Sequence, residues 1–200
     1  MNHFLVSNSE ILQATIEAMG AVFCLIAMFF LQFNNKSKAS KVVSTMFSID
    51  SVVLLFDAGA YIFRGNISPF CLFMTRLCNF SVFALQIILA LYAIHLTYIL
   101  IEQYDVKPSP IYKYIGYALG LVAIIILVVN LFTNFMYYFD ENNYYHRNSG
   151  FYIFNPLSIL IMILTVFIVL RYHKQVNKEL IIGILLYELI PAIAVFIQVF

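Results

Sequence analysis

Five ionisable residues stand inside long apolar runs of the sequence: Glu17, Asp50, Asp57, Arg76 and Glu188. A charge at the centre of a bilayer costs about 2.5–3.5 kcal/mol on insertion scales, so such groups are expected to face a bundle interior and to pair, bind or carry protons there. Asp50 and Asp57 are seven residues apart, two helical turns, and share one helix face. Arg76, Asn79, Phe83, Gln86 and Ala90 form a polar stripe on the next segment. An ion pair between Asp57 and Arg76 would satisfy both groups across two antiparallel helices joined by a short turn. It would leave Glu17 and Asp50 without a visible base, to hold a proton or to face a cationic ligand; internal hydrogen bonds that only fix helix packing account equally well for them. Glu188 with Pro191, three residues on, suggests a helix kink whose freed backbone groups need a partner, either as a hinge or as a static bend. His95, with Glu102 on the same face, reads as an interfacial histidine.

The second concentration of chemistry is the polar stretch from Asn134 to Gly150, NFMYYFDENNYYHRNSG. It sets Asp140, Glu141, His146 and Arg147 among Tyr137, Tyr138, Tyr144 and Tyr145. Tyrosines at a membrane boundary serve as interface anchors whatever the function. Acid and base together on a compact aromatic loop also suit a lid that contacts a ligand. The histidine and carboxylates lack metal-ligand spacing, and Cys24, Cys71 and Cys78 form no CxxC pair, so neither a metal nor another cofactor is expected. All the lysines lie in linkers or at helix ends, which excludes a Schiff-base chromophore site at a helix centre. With no P-loop, GxSxG, HExxH or kinase signature, the chain reads as non-enzymatic.

The segments that must position these residues are apolar and long. The chain is 63% hydrophobic and 10% charged, with a mean hydropathy of +0.92, against about 25% charged residues in an ordinary soluble domain. Eleven Lys and Arg against ten Asp and Glu leave it near neutral, so nucleic acid is not an expected partner. A spanning helix needs roughly 20 mostly apolar residues. Six segments qualify, at about 11–33, 42–63, 70–104, 111–135, 151–170 and 180–200. The polar breaks NNKSKASK, RGNISP, DVKPSP and RYHKQVNKE separate them, together with the Asn134 to Gly150 stretch. The fold class is therefore all-α, a polytopic transmembrane helix bundle forming a single domain over residues 1–200. Eight basic residues fall in or beside the linkers after segments one, three and five and three in or near the others, which predicts a plasma-membrane protein with its N-terminus and the tyrosine-rich loop extracellular. Segment six ends in AVFIQVF with no polar cap, which suggests a seventh helix beyond this chain.

The succession LLFDAGAY (Leu54 to Tyr61), RLCNFSVFAL (Arg76 to Leu85), MYYFDENNYYHR (Met136 to Arg147) and VLRYHKQVNKELIIGILLYELIPAIAVFIQVF (Val169 to Phe200) resembles the N-terminal multi-helix membrane regions of bacterial signalling proteins. In that group a seven-helix-like input region precedes a cytoplasmic GGDEF diguanylate cyclase or a histidine kinase. The resemblance implies a sensory input domain for an extracellular or membrane-borne cue, relaying to an output domain that this chain lacks. It implies no catalytic residues. The expected ligand contacts are Glu17, Asp57, Arg76, Asn79, Asp140, Glu141, His146 and Arg147, with Asp50, Gln86, Glu188 and Pro191 as an intramembrane polar relay. The expected partners are the lipid bilayer and an extracellular ligand of unknown identity, with a homodimer left open. A small proton- or cation-coupled transporter and a non-catalytic membrane subunit are the alternatives from other classes.

Overall fold

The computed structural model describes residues 8–34 and 36–199, with side chains in the last helix through Leu189 and at Ile193. Among the described residues six helices follow one another: α1 (Asn8–Asn34), α2 (Lys38–Phe63), α3 (Pro69–Glu102), α4 (Ile111–Thr133), α5 (Phe151–Arg171) and α6 (Lys178–Val199). Between α4 and α5 stand two short strands, β1 (Tyr137–Phe139) and β2 (Tyr145–Arg147). Five of the helices, α1 to α5, are long and apolar enough to cross a membrane among the described residues. The chain is a multi-pass, all-α membrane protein.

Local chemistry sets the helix ends. The Ser37 hydroxyl accepts from the Ser40 amide at 3.1 Å and starts α2 four residues before the apolar run does. Ser68 caps α3 in the same way, with Pro69 in the first turn where its missing N–H costs nothing. Asn134 closes α4 in the left-handed conformation (φ 53°), its amide bonded to the Asn130 carbonyl.

In a bilayer, packing of small residues replaces the hydrophobic effect between helices. The α1–α2 pair follows that rule. Ala14, Ala21, Ser40, Ser44, Ser51 and Ala58 are all buried. Gln32 donates to the Ser44 hydroxyl at 3.0 Å, and Leu54 rests on the bare face of Gly20. Gly116 and Gly120 of α4 likewise receive Ile94 and Leu91 of α3. Helix α3 is the hub: it packs on α2, α4 and α5, whereas among the described residues α6 packs chiefly against α5. Phe23, Phe30, Phe33 and Phe132 are among the many large apolar side chains left on the outside, as a lipid-facing surface requires.

The tyrosine-rich stretch, expected only as a polar loop, is an antiparallel hairpin with Tyr137 opposite Arg147, Tyr138 opposite His146 and Phe139 opposite Tyr145. Two aromatic triplets flank a DENN turn, a hairpin pattern that the neighbouring apolar runs obscured. Its base is pinned to α4, where the Asn130 side-chain oxygen accepts from the amides of Met136 (2.6 Å) and Tyr137 (3.0 Å). Gly150 closes the hairpin, its amide bonded to the Phe135 carbonyl at 2.9 Å. A β-carbon at Gly150 would lie 2.7 Å from that same oxygen, so only glycine fits.

Candidate functional site: two joined chambers under the hairpin

Helix periodicity carries one stripe of α2 inward, Asp50, Leu54, Asp57 and Tyr61, at spacings of three or four residues, and Arg64 follows at the helix cap. Asn79, Phe83, Gln86 and Ala90 of α3 do the same. Helix α5 contributes Phe151, Asn155 and Ser158, α6 contributes Tyr187 and Glu188, and Arg147 enters from the end of β2. These faces line two partly open chambers. The one beneath the hairpin, with Asp57, Arg64 and Tyr145 on its wall, holds about 330 Å³. The inner one, with Asp50, Tyr187 and Glu188, holds about 410 Å³. Phe83, Gln86, Arg147 and Phe151 line both, so the chambers meet at that layer.

The expected Asp57–Arg76 ion pair does not form among the described residues. Thr75 and Asn79 turn toward the bundle, and Arg76 follows Thr75 by about 100° around the helix. It is exposed, donating to the Leu72 carbonyl at 3.3 Å, with its guanidinium 5.7 Å from the Phe139 ring centre. The base beside the α2 stripe is instead Arg64, two turns beyond Asp57. Its Nε lies 2.6 Å from the Glu10 carboxylate, and its guanidinium lies over the Tyr61 and Tyr144 rings. Glu17 is half-buried on α1, accepts from the Gln13 amide at 2.8 Å and stands within electrostatic reach of Asp57. Asn79 lines the hairpin-side chamber and donates to the Thr75 carbonyl at 2.9 Å.

Of the four hairpin residues expected to contact a ligand, only Arg147 reaches the chambers, and its guanidinium sits 4.5 Å from the Phe151 ring centre. Asp140 shapes the turn: one carboxylate oxygen accepts from the amides of Tyr144 (2.8 Å) and Asn142 (3.0 Å), and the other meets the His146 ring at 2.9 Å. Glu141 is exposed at the tip, and His146 is stacked on Tyr138 outside the cavity. Alternation explains the division, because neighbours along β2 point to opposite faces. Tyr145 faces the hairpin-side chamber, and burial raises its phenol well above the ordinary range. Burial likewise pushes Tyr137 up to about 12, with the Asn130 hydrogen bond acting against it.

The Tyr144 amide first, and then the His146 ring, hold the Asp140 carboxyl below its ordinary value of 3.8. A depressed folded-state pKa stabilises above the unfolded value and ceases to do so as pH falls through the folded one. Amide exchange at Tyr144 should thus be flat from neutral pH down to about 4 once intrinsic rates are divided out, then accelerate below that. Asp140→Asn should abolish the step. A step that persists in the variant would assign the titration to another group.

The deepest feature carries a sequence signal that does not fix its place in the bundle. Glu188 is only 6% exposed, and among the described residues its Oε1 has no hydrogen-bond partner. Pro191, its expected kink partner, falls within α6, but its side chain lies outside the described residues. Arg64, and Asn143 of the hairpin turn, whose side-chain amide donates to the Phe63 and Asn66 carbonyls, carry no sequence signal beyond their positions in turns; Tyr187 carries one, next to an intramembrane acid. His95 lines a separate depression at the far end with Lys41, Thr45 and Tyr117. Among the described residues no cluster of three or more His, Cys, Asp or Glu side chains is placed to hold a metal ion. What the chambers offer chemically is carboxylates among aromatic walls, suited to holding a cation or a proton. No family model matches this chain, and no curated protein or solved structure matches it significantly.

Proposed function

We propose that this chain is a plasma-membrane sensory input domain that binds a cue in the chambers under its extracellular hairpin and relays it to a cytoplasmic output, a diguanylate cyclase or histidine kinase. The observation that carries the reading is the wall of the chambers: an occupant touches α2, α3, α5, α6 and the hairpin together. A ligand shifts a conformational equilibrium only through contacts that differ between states, and a site shared by five elements supplies such contacts. Helix α6, whose described residues pack chiefly on α5 and whose Glu188 lines the inner chamber, is the element expected to shift. The excess of Lys and Arg in the linkers at the opposite end supports an outward-facing hairpin.

The test is made in source cells, reading cyclic-di-GMP and histidine phosphorylation. Asp57→Asn and Arg147→Gln should each change the output by about fivefold or more while the membrane level of the protein stays constant. Wild-type output in both would remove the chambers from the reading. Cation-coupled transport is the second reading, favoured by the buried Glu188 of the inner chamber, one of whose carboxylate oxygens has no hydrogen-bond partner among the described residues. Substrate flux in proteoliposomes that stops on Glu188→Gln would put it first.

A further inference from the structure

We propose that the inner chamber is a binding site for a small organic ammonium ion, held between Asp50 of α2 and Glu188 of α6 against an aromatic wall. The inference rests on the reading of the chambers as a ligand site and names the class of ligand. Its starting point is Glu188, whose side chain lines the chamber, is more than nine-tenths buried at 6% exposure, and has one oxygen without a partner among the described residues. A carboxyl in that position needs a donor or a positive charge to be tolerated. Asp50 lines the same chamber from another helix, and Tyr187 is within electrostatic reach of both acids.

Size, charge and wall chemistry select among cations. A space of about 410 Å³ is far larger than a bare metal ion, and the described residues bring no three metal-ligating groups together. It falls within the range of small-molecule pockets, roughly 300–1,000 Å³. Phe83 and Phe154, packed edge to face with centroids 5.6 Å apart, line the space with Phe151 and Tyr187, and an aromatic lining attracts an ammonium group and covers its carbon skeleton. Arg147 is the one basic residue lining the inner chamber among the described residues, and its guanidinium lies over Phe151 at the layer shared with the outer chamber. An anion entering deeper would meet two carboxylates. An ammonium ion would meet two partners.

The purified chain in lipid nanodiscs is titrated with phenethylamine, butylamine and tetramethylammonium, and with 2-phenylethanol as the uncharged match of the first, while heat release and thermal unfolding are followed. Saturable binding of at least one ammonium probe is expected, with 2-phenylethanol about tenfold weaker or worse. Glu188→Gln and Asp50→Asn should each weaken the ammonium probe about tenfold or more, while Asp140→Asn on the hairpin turn should leave it unchanged. No saturable binding by any ammonium probe, or equal binding of amine and alcohol, overturns the proposal; the wild-type comparison decides this even if a variant fails to fold. Affinity unmoved by both carboxamide variants overturns it as well. Ammonium binding alongside wild-type output in the Asp57 and Arg147 variants would keep this site and remove the chambers from the sensory reading. Altered output without ammonium binding would do the reverse.

Discussion

Asn143→Ala should release the hairpin from the bundle and lower stability by about 3 kcal/mol, the sum of two separable losses. Asn143 is fully buried at the hairpin turn, and its side-chain nitrogen lies within 3.1 Å of the Phe63 carbonyl, the Asn66 carbonyl and the Thr75 hydroxyl. Two amide hydrogens are thus shared among three acceptors on the α2–α3 turn and the start of α3. Alanine removes the donors and leaves three acceptors short of partners, at about 1–3 kcal/mol for each buried group left unsatisfied, partly offset because it also removes the Asn143 Oδ1, which has no partner among the described residues. The second loss is conformational: Asn143 has φ 62°, the left-handed region, where a β-carbon costs about 1–2 kcal/mol and asparagine is among the better-tolerated residues. Asn143→Gly should therefore recover about 1 kcal/mol of the deficit and none of the hydrogen bonding. Denaturant unfolding in micelles gives the totals, and amide exchange in β1 and β2 shows whether the hairpin opens before the helices do. Wild-type stability in Asn143→Ala would mean that the bond from the Gly65 amide to the Asn143 carbonyl (3.3 Å), which alanine keeps, and the Asn130 anchor suffice to hold the hairpin in place.

Much of the scaffold was legible because hydrophobic length is a one-dimensional signal. The helix bounds expected from apolar runs differ from those observed by a few residues, and where they differ a cap decides, as Ser37 does for α2. The intramembrane acids were also legible, and Asp50, Asp57 and Glu188 do face inward, with Gln86 between the chambers. Pairing was not. Asp57 and Arg76 share compatible depths, but depth leaves rotation about the axis undetermined, and a turn of about 100° per residue places Arg76 outside while Thr75 is in. The pair that does form, Glu10 with Arg64, joins the start of α1 to the cap of α2, and no local pattern links residues that far apart in the chain. The hairpin escaped because three-residue strands are too short for a period to show, although the DENN turn marks its centre.

Glu188→Met should move stability and binding in opposite directions. In a protein interior, leaving a carboxyl oxygen without a partner costs about 1–3 kcal/mol. Methionine has a similar length and fills irregular space without a polar atom. If Glu188 serves only to bind, the methionine variant relieves that cost and the bundle gains about 1–3 kcal/mol, while the ammonium site loses one of its two carboxylates and its affinity falls. That combination is the mark of a residue retained against stability for what it binds. The opposite outcome is equally informative. A loss of stability in Glu188→Met would show that the carboxyl fixes α6 in the bundle, with water or the protein supplying the missing donor, and recognition of the ammonium ion would then fall to Asp50. Glu188→Gln separates the cases further, since it keeps the hydrogen-bonding shape and removes the charge: a packing role should survive the change to glutamine, whereas recognition of an ammonium ion should not.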